Sequence, residues 1–328
     1  MFQIKRALML PMMVAAVAAC QPALAQVLSD SQEPGSVLVF PFFQEGFTAS
    51  GTSVSTFAIS AICPTGATCP MHQPVYLKLH WVGPGCGERD FSETTSVNGT
   101  IVITPNDGGT IPLPASFQGF LLVWVVDANG NAIKFDGLIG KAIIRQFPQA
   151  DTAYNAIPIQ AGAELLNNAI ISPPNGPLQF DGIHYKEVTG QVTGSVFPPV
   201  GNFATYLIFL TLDAISNRPN GSTFVDFRFS DQFENSISSS TSFTCWGLVS
   251  IAGLGVTSPG IVQSGPAQTV TGTPVTLLGL IMTQDLSGGG TGGPLVTTHN
   301  IVPFLNNSVP VPTTFFPDGA PLPVASQQ

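Results

Sequence analysis

Of 328 residues, only 9% are Asp, Glu, Lys or Arg, and the formal net charge is −9; an ordinary soluble domain carries about 25% charged residues. Ten Lys+Arg against 19 Asp+Glu leave no basic footprint for nucleic acid, and 34 Gly and 29 Pro forbid a coiled coil or long-helix protein. Twenty-three Phe exclude a disordered acidic chain and supply a core instead.

Residues 1–25 read as an export signal. Lys5 and Arg6 precede an apolar stretch from Ala7 to Ala19, Pro22 breaks it, and Ala23-Leu24-Ala25 offers the small residues a signal peptidase needs. Val17-Ala18-Ala19-Cys20 is a rival within the same stretch. It resembles a bacterial lipobox, in which Cys20 would be lipidated and become the first residue. Pro22, lying between the apolar run and Ala25, favours the cut after Ala25. The run is too short for a membrane span of about 20 residues. Loss of Lys5 and Arg6 would leave 8 Lys+Arg against 19 Asp+Glu, a formal charge of −11. Such a surface disfavours phosphate backbones and anionic lipid.

The mature chain reads as short strands separated by turns. Ser36–Phe40 opens the series, followed by Ser55–Ile62. Val75, Leu77, Leu79 and Trp81 alternate with Tyr76, Lys78 and His80, the period of a half-buried strand. Ser55–Ile62 and Val75–Val82 are expected to be antiparallel neighbours. Ile101 and Ile103 continue the pattern. Phe120–Val126 is apolar on both faces and is expected at the centre of a covered sheet. Asp127-Ala-Asn129-Gly130-Asn131 is a hairpin signal, with Ala132–Phe135 as the return strand. Ile159, Ala163, Leu166 and Ile170 recur at helical spacing and predict one short helix over 159–170. Ile183–Val188, Phe203–Leu212, the alternating Val225, Phe227 and Phe229, Ile237–Trp246 and Val275–Met282 complete the strands. Ser287–Gly293 is a flexible joint, and the Pro-rich tail beyond it should be extended and poor in sheet hydrogen bonds.

The fold class is therefore mainly β, an antiparallel β-sandwich-type architecture, as one large or two tandem sandwiches, with little helix. The divisions are a signal peptide over 1–25, an N-terminal β-sandwich region over 26–150, and a connecting segment with the short helix over 151–200. A C-terminal β region over 201–286 and a Gly-rich joint with Pro-rich tail over 287–328 follow.

Apart from Cys20, four cysteines remain: Cys63, Cys69, Cys86 and Cys245. An even number in an exported chain suggests two disulfides. If Cys63 and Cys69 share one loop, they lie within the ~6 Å Cα reach of a disulfide, which leaves Cys86 for Cys245. The alternative, a four-thiolate zinc site, needs C-x(2–4)-C knuckles; here five and then sixteen residues intervene.

Other chemical signals are weak. The chain contains no nucleophile elbow, HExxH, P-loop, complete EF-hand loop or dinucleotide fingerprint. Asp127, Asn129 and Asn131 open like a calcium loop, but no acidic residue closes it, and a turn explains every position. Tyr76, Lys78 and His80 share a strand face, with Glu88 and Asp90 in the next segment. This polar cluster suits general acid–base chemistry or a plain solvated face. Asp226 and Arg228 form a second same-face pair with Asp231 and Glu234 nearby, and suggest either a glycosidase carboxylate pair or a surface ion pair. No cofactor is implied.

The sequence points first to an exported non-enzymatic protein, at the bacterial cell surface, outside the cell or in the periplasm, with a structural, adhesive or other interaction role. Its partners would be copies of itself or other surface or matrix proteins, with no nucleic acid and no transmembrane span in the mature chain. The alternatives are an exported hydrolase on a β-sandwich scaffold and an outer-membrane β-barrel. The unbroken apolar runs Phe120–Val126 and Phe203–Leu212 fit the barrel poorly.

Overall fold

The computed structural model describes residues 33–48, 51–105, 116–147, 151–196, 203–213, 221–285, 296–300, 302–303, 310–311, 313–315 and 317. The export signal, Cys20 and the Ser287–Gly293 joint lie outside them. The fold is mostly antiparallel β, in several sheets packed together, with no α-helix among the described residues.

The first strands are β1 (Val37–Thr48), β2 (Gly51–Ala61), β3 (Pro74–Val82), β4 (Glu88–Ser96), β5 (Gly99–Ile103) and β6 (Ser116–Val126). Next come β7 (Ala132–Ile133), β8 (Leu138–Phe147), β9 (Thr152–Asn155) and β10 (Ile157–Ile159). One layer runs β4-β3-β6-β1, and a second runs β5-β2-β8-β9. The layers join where β1 folds back on β2 and where β4 continues into β5. β2 and β3 are therefore not the antiparallel neighbours the sequence suggested. They belong to opposite layers and meet through side chains, with the Phe57 and Trp81 rings 5.3 Å apart. Leu38, Phe40, Leu79, Trp81, Leu121 and Val123 face this interior, and Phe40 meets Phe57 edge-on at 5.0 Å.

Both faces of β6 are buried, as its unbroken apolar run requires. Leu121 and Val123 face the sandwich, whereas Leu122 and Trp124 face the opposite way. What covers that other side comes from the second half of the chain. There β11 (Ile170–Ser172), β12 (Leu178–Phe180), β13 (Val188–Thr189), β14 (Val192–Val196), β15 (Phe203–Leu210) and β16 (Thr223–Asp231) lead to β17 (Ser236–Phe243) and β18 (Trp246–Ser250). β19 (Gly260–Ser264), β20 (Gln268–Thr269), β21 (Leu278–Asp285), β22 (Val296–Asn300), β23 (Val302–Pro303), β24 (Pro310–Val311) and β25 (Thr313–Phe315) complete the chain.

A middle sheet, β18-β15-β21-β22, has two apolar faces. Ile208, Leu210, Trp246, Leu280 and Met282 join the core of the N-terminal sandwich. Leu207, Phe209 and Ile281 point the other way, into a second core with Val225, Phe227 and Phe229. The outermost sheet, β17-β16-β19-β14-β23, closes that second core. The continuous apolar run Phe203–Leu212 follows from this position between two cores.

Two devices fasten the halves. Pro41 lacks an N–H, and the β1–β6 register shifts between Phe40 and Phe43. At this bulge the Trp246 indole donates to the Pro41 carbonyl at 2.9 Å, and its ring stacks on Phe42. The Tyr154 hydroxyl donates to the Phe42 carbonyl and accepts from the Phe42 N–H. The second device is the Cys86–Cys245 disulfide, which spans 159 residues. Cys63–Cys69 closes a local loop whose Ala67 N–H donates to the Pro64 carbonyl. This is the pairing expected from spacing, although that loop does not join adjacent strands.

The predicted helix over 159–170 is absent. Ile159 is fully buried in β10, whereas Leu166 is 81% exposed and Ile170 62% exposed, so the spaced residues never share a buried face. Gly162 and Asn168, the latter at φ 64°, punctuate a run of turns. Ile183–Val188 also forms no continuous strand, because the Asp181 carboxylate caps a turn through the N–H groups of Ile183 and His184. The tail does pair: β25 lies along β12, β24 along β13, and β23 along β14.

Candidate functional site

The polar cluster on β3 and β4 divides into two parts. His80 faces Asp90 across the ladder, Lys78 faces Ser92, and Val82 faces Glu88. Lys78 is ion-paired with Asp90 towards solvent. Burial opposes the Asp90 charge, but the Lys78 hydrogen bond and charge, aided by His80, hold its carboxyl below the usual carboxylate range. Tyr76 is half-buried on the same face.

His80 is wholly buried, contrary to the solvated face that alternation implied. Its ring stacks on Trp124 at 4.7 Å and meets Phe315 of β25 edge-on at 5.8 Å. Its Nδ1 lies 3.3 Å from the Glu88 carboxylate, and both side chains are sealed from solvent. The pair therefore lies in the packing between the sandwich and the tail strand. Lys78 and Asp90 stand apart from it at the surface.

The second candidate, Asp226 and Arg228, sits on the outer face of the outermost sheet. Strand β16 alternates strictly: Val225, Phe227 and Phe229 are buried, while Phe224, Asp226 and Arg228 are exposed. Asp226 pairs with Ser240 on β17, and Arg228 pairs with Ser238 on β17 and Gln263 on β19. These residues border an open groove of about 530 Å³ with Gly265. Its volume suits a ligand, but it lacks the enclosing walls of a pocket that buries one. Among the described residues neither Asp226 nor Arg228 takes an ion-pair partner. Asp231 and Glu234 lie at the hairpin end and add no facing carboxylate. The Asp231 carboxylate accepts from the Phe233 and Asn235 N–H groups and from the Asn235 side chain.

That turn has a twin. At Asp127–Asn131, one carboxylate oxygen accepts from the Asn129 and Asn131 N–H groups and the other from Asn131 Nδ2. In both, the fourth residue has positive φ, Gly130 at 86° and Glu234 at 63°. These hydrogen bonds, led by that from Asn131, also hold the Asp127 carboxyl below its usual range. The carboxylate that opened like a calcium loop is thus engaged in shaping a hairpin. The two turns share the same Asp-x-x-x-Asn spacing and the same carboxylate-to-backbone hydrogen bonds. The four cysteines are oxidised in pairs and offer no thiolates for zinc.

Phe135–Gly140 reads in the sequence as a segment with a fixed local role, and the structure supplies that role: the Asp136 carboxylate accepts from Ser36 Oγ and the Ala161 N–H and lies 3.6 Å from Lys134 Nζ. Phe180-Asp181-Gly182 repeats the Phe-Asp-Gly triplet. Sequence reasoning missed one feature. That feature is the serine row of β17, whose signal was the recurrence of Ser236, Ser238, Ser240 and Ser242 in an uncharged strand.

The fold and site define a disulfide-fastened, layered antiparallel β protein with an open polar face. No family model, curated protein or solved structure matches this chain.

No helix among the described residues is long and apolar enough to cross a membrane.

Proposed function

We propose that this chain is an exported, non-enzymatic interaction protein of the cell surface or surroundings, and that the outermost sheet is its working surface. The observation that supports this most is the outer face of β16 and β17. A serine row, Asp226, Arg228 and the exposed Phe224 lie open on a plane rather than converging in a cleft. Planar polar surfaces suit macromolecular contact, whereas catalysis needs groups converging on one reacting atom. The two disulfides favour an oxidising compartment.

Cell fractionation and protease shaving test the reading. A tagged full chain should appear outside the cytoplasm with all four cysteines oxidised, and should be released by detergent-free buffer if Ala25 is the cleavage point. Lipid labelling at Cys20 would instead assign a lipid anchor. A reduced, cytoplasmic chain overturns the proposal. So does hydrolysis of glycosides or esters by the purified protein that disappears in Asp226→Asn.

A further inference from the structure

β17 is an edge strand. Among the described residues it pairs with β16 alone, and most of Ser236–Ser242 is exposed. Edge strands expose a row of main-chain donors and acceptors, and proteins normally blunt them with charge, Pro or a bulge. Among the described residues, the nine-residue edge strand β4 follows that rule with Glu88, Arg89, Asp90 and Glu93, whereas the edge strand β18 is uncharged but only five residues long. The short β9 lies against β22, and β23 contains Pro303. β17 has none of these protections: Ser-Ile-Ser-Ser-Ser-Thr-Ser-Phe has no charge and no Pro, and its eight-residue register with β16 is unbroken.

The ladder shows which groups face outward. The Asp231 N–H donates to the Asn235 carbonyl, so Asp231–Asn235 is a hydrogen-bonded pair. Antiparallel pairs alternate. Hence Ile237, Ser239, Thr241 and Phe243 bond to β16, and Ser236, Ser238, Ser240 and Ser242 direct their N–H and C=O groups away from it. The opposite edge of β16 agrees: the Asp226 carbonyl accepts from Gly265 N–H, on the side away from β17. Every outward position on the exposed stretch is a serine, small enough to admit another strand.

We infer that β17 pairs antiparallel with β17 of a second copy, about a two-fold axis at Ser239, and joins the two outermost sheets into one. This rests on the interaction role proposed above and names its partner. Charge selects both occupant and register. With the axis at Ser239, Ser238 opposes the partner's Ser240. The cross-strand row then runs from Arg228 over two serines to the partner's Asp226, and symmetry repeats it. Three strand spacings separate their Cα atoms by about 14 Å, which an extended Arg largely bridges over serines. Centring the pair on Ser238 would set Arg228 against Arg228, and centring it on Ser240 would set Asp226 against Asp226. Only the Ser239 register aligns opposite charges. It also pairs all four serines and adds about eight main-chain hydrogen bonds. Because the contact is isologous, it closes at a dimer.

Sedimentation equilibrium of the full chain, exported and purified without reductant, provides the test. The expected result is a reversible dimer. Ser240→Pro should weaken it by about 100-fold, because two inter-copy N–H donors disappear while no β16 bond does. Its circular dichroism should match that of the parent. Ser238→Lys with Ser240→Lys should do the same by charge, covering the case in which the proline variant misfolds. Asp226→Arg alone should weaken the dimer roughly three- to ten-fold, and D226R/R228D should restore it. A parent that is monomeric at every concentration overturns the pairing, as does a dimer indifferent to both edge variants. If D226R and D226R/R228D behave alike, the Ser239 register is wrong. These outcomes are independent of fractionation: a surface-located monomer defeats the pairing alone, and a cytoplasmic dimer defeats the exported role alone.

Discussion

Strands β3 and β16 are written in the same code. Each alternates apolar with polar residues, and each places titratable side chains on its polar side, Lys78 and His80 on β3 and Asp226 and Arg228 on β16. In β16 the alternation survives in the fold, with Val225, Phe227 and Phe229 inside and Asp226 and Arg228 outside. In β3 it holds only as far as Leu79, after which His80, Trp81 and Val82 are all buried. The difference comes from the neighbours. β16 belongs to the outermost sheet, whereas Phe315 and Trp124 close over the far end of β3. Period two specifies that a strand has two different faces, but only the layers around it specify whether the polar face meets water. Residues of similar chemistry thus become packing on one strand and presentation surface on the other.

That contrast predicts a graded set of responses. The largest concerns the tie between the halves. Chain-entropy arguments give about 5 kcal/mol for the long Cys86–Cys245 loop and about 2 kcal/mol for the short Cys63–Cys69 loop. Urea unfolding of C86S/C245S should therefore show a clearly greater loss than C63S/C69S. Equal losses would mean that the two halves are already held by packing alone.

Next comes the cover over β3. Phe315→Ala should destabilise the fold by about 3–5 kcal/mol, since a fully buried ring leaves the His80–Trp124 stack. Glu88→Ala should also cost several kcal/mol, because it removes the carboxylate beside buried His80. By comparison, Arg228→Ala on the open face should change stability by less than about 0.5 kcal/mol. Thermal unfolding of the three variants checks the comparison directly. A costly Arg228 substitution would show that the outer face is structural.

The smallest effect is a pH dependence. The folded-state pKa of Asp90 is depressed, so its contribution with Lys78 is present above the ordinary Asp value of 3.8 and is lost as the pH falls through the lower folded value. Asp90→Asn should remove that acidic limb from the plot of Tm against pH and leave the neutral region little changed. An identical acid limb in parent and variant would assign it to another carboxylate.

Much of the fold was legible in the residues. The unbroken run Phe120–Val126 announced a strand covered on both sides, and it is; the continuous run Phe203–Leu212, read only as a strand, is covered on both sides too. Asp127–Asn131 announced a hairpin, because its side chains bond their own backbone. The spacing of Ile159, Ala163, Leu166 and Ile170 misled, because helical recurrence matters only if those residues turn to one buried surface. Of the site, the exposed pair Asp226 and Arg228 was legible from alternation within a single strand. The burial of His80 was not, since the covering Phe315 lies 235 positions further along the chain. Nor was the edge position of β17: its serines were visible, but which strand sits beside which depends on pairings far apart in sequence.

By itself, the sequence determined the mainly β class, the Asp127–Asn131 hairpin, the closeness of Cys63 to Cys69 and the choice of small uncharged residues for β17, because these follow from local sterics, periodicity and loop reach. Tertiary structure alone decided that a middle sheet would have two cores, that a polar strand face would be sealed by the tail, and that β17 would lie at an edge. Those outcomes rest on long-range burial and hydrogen-bond pairing, whose partners no local stretch of sequence specifies.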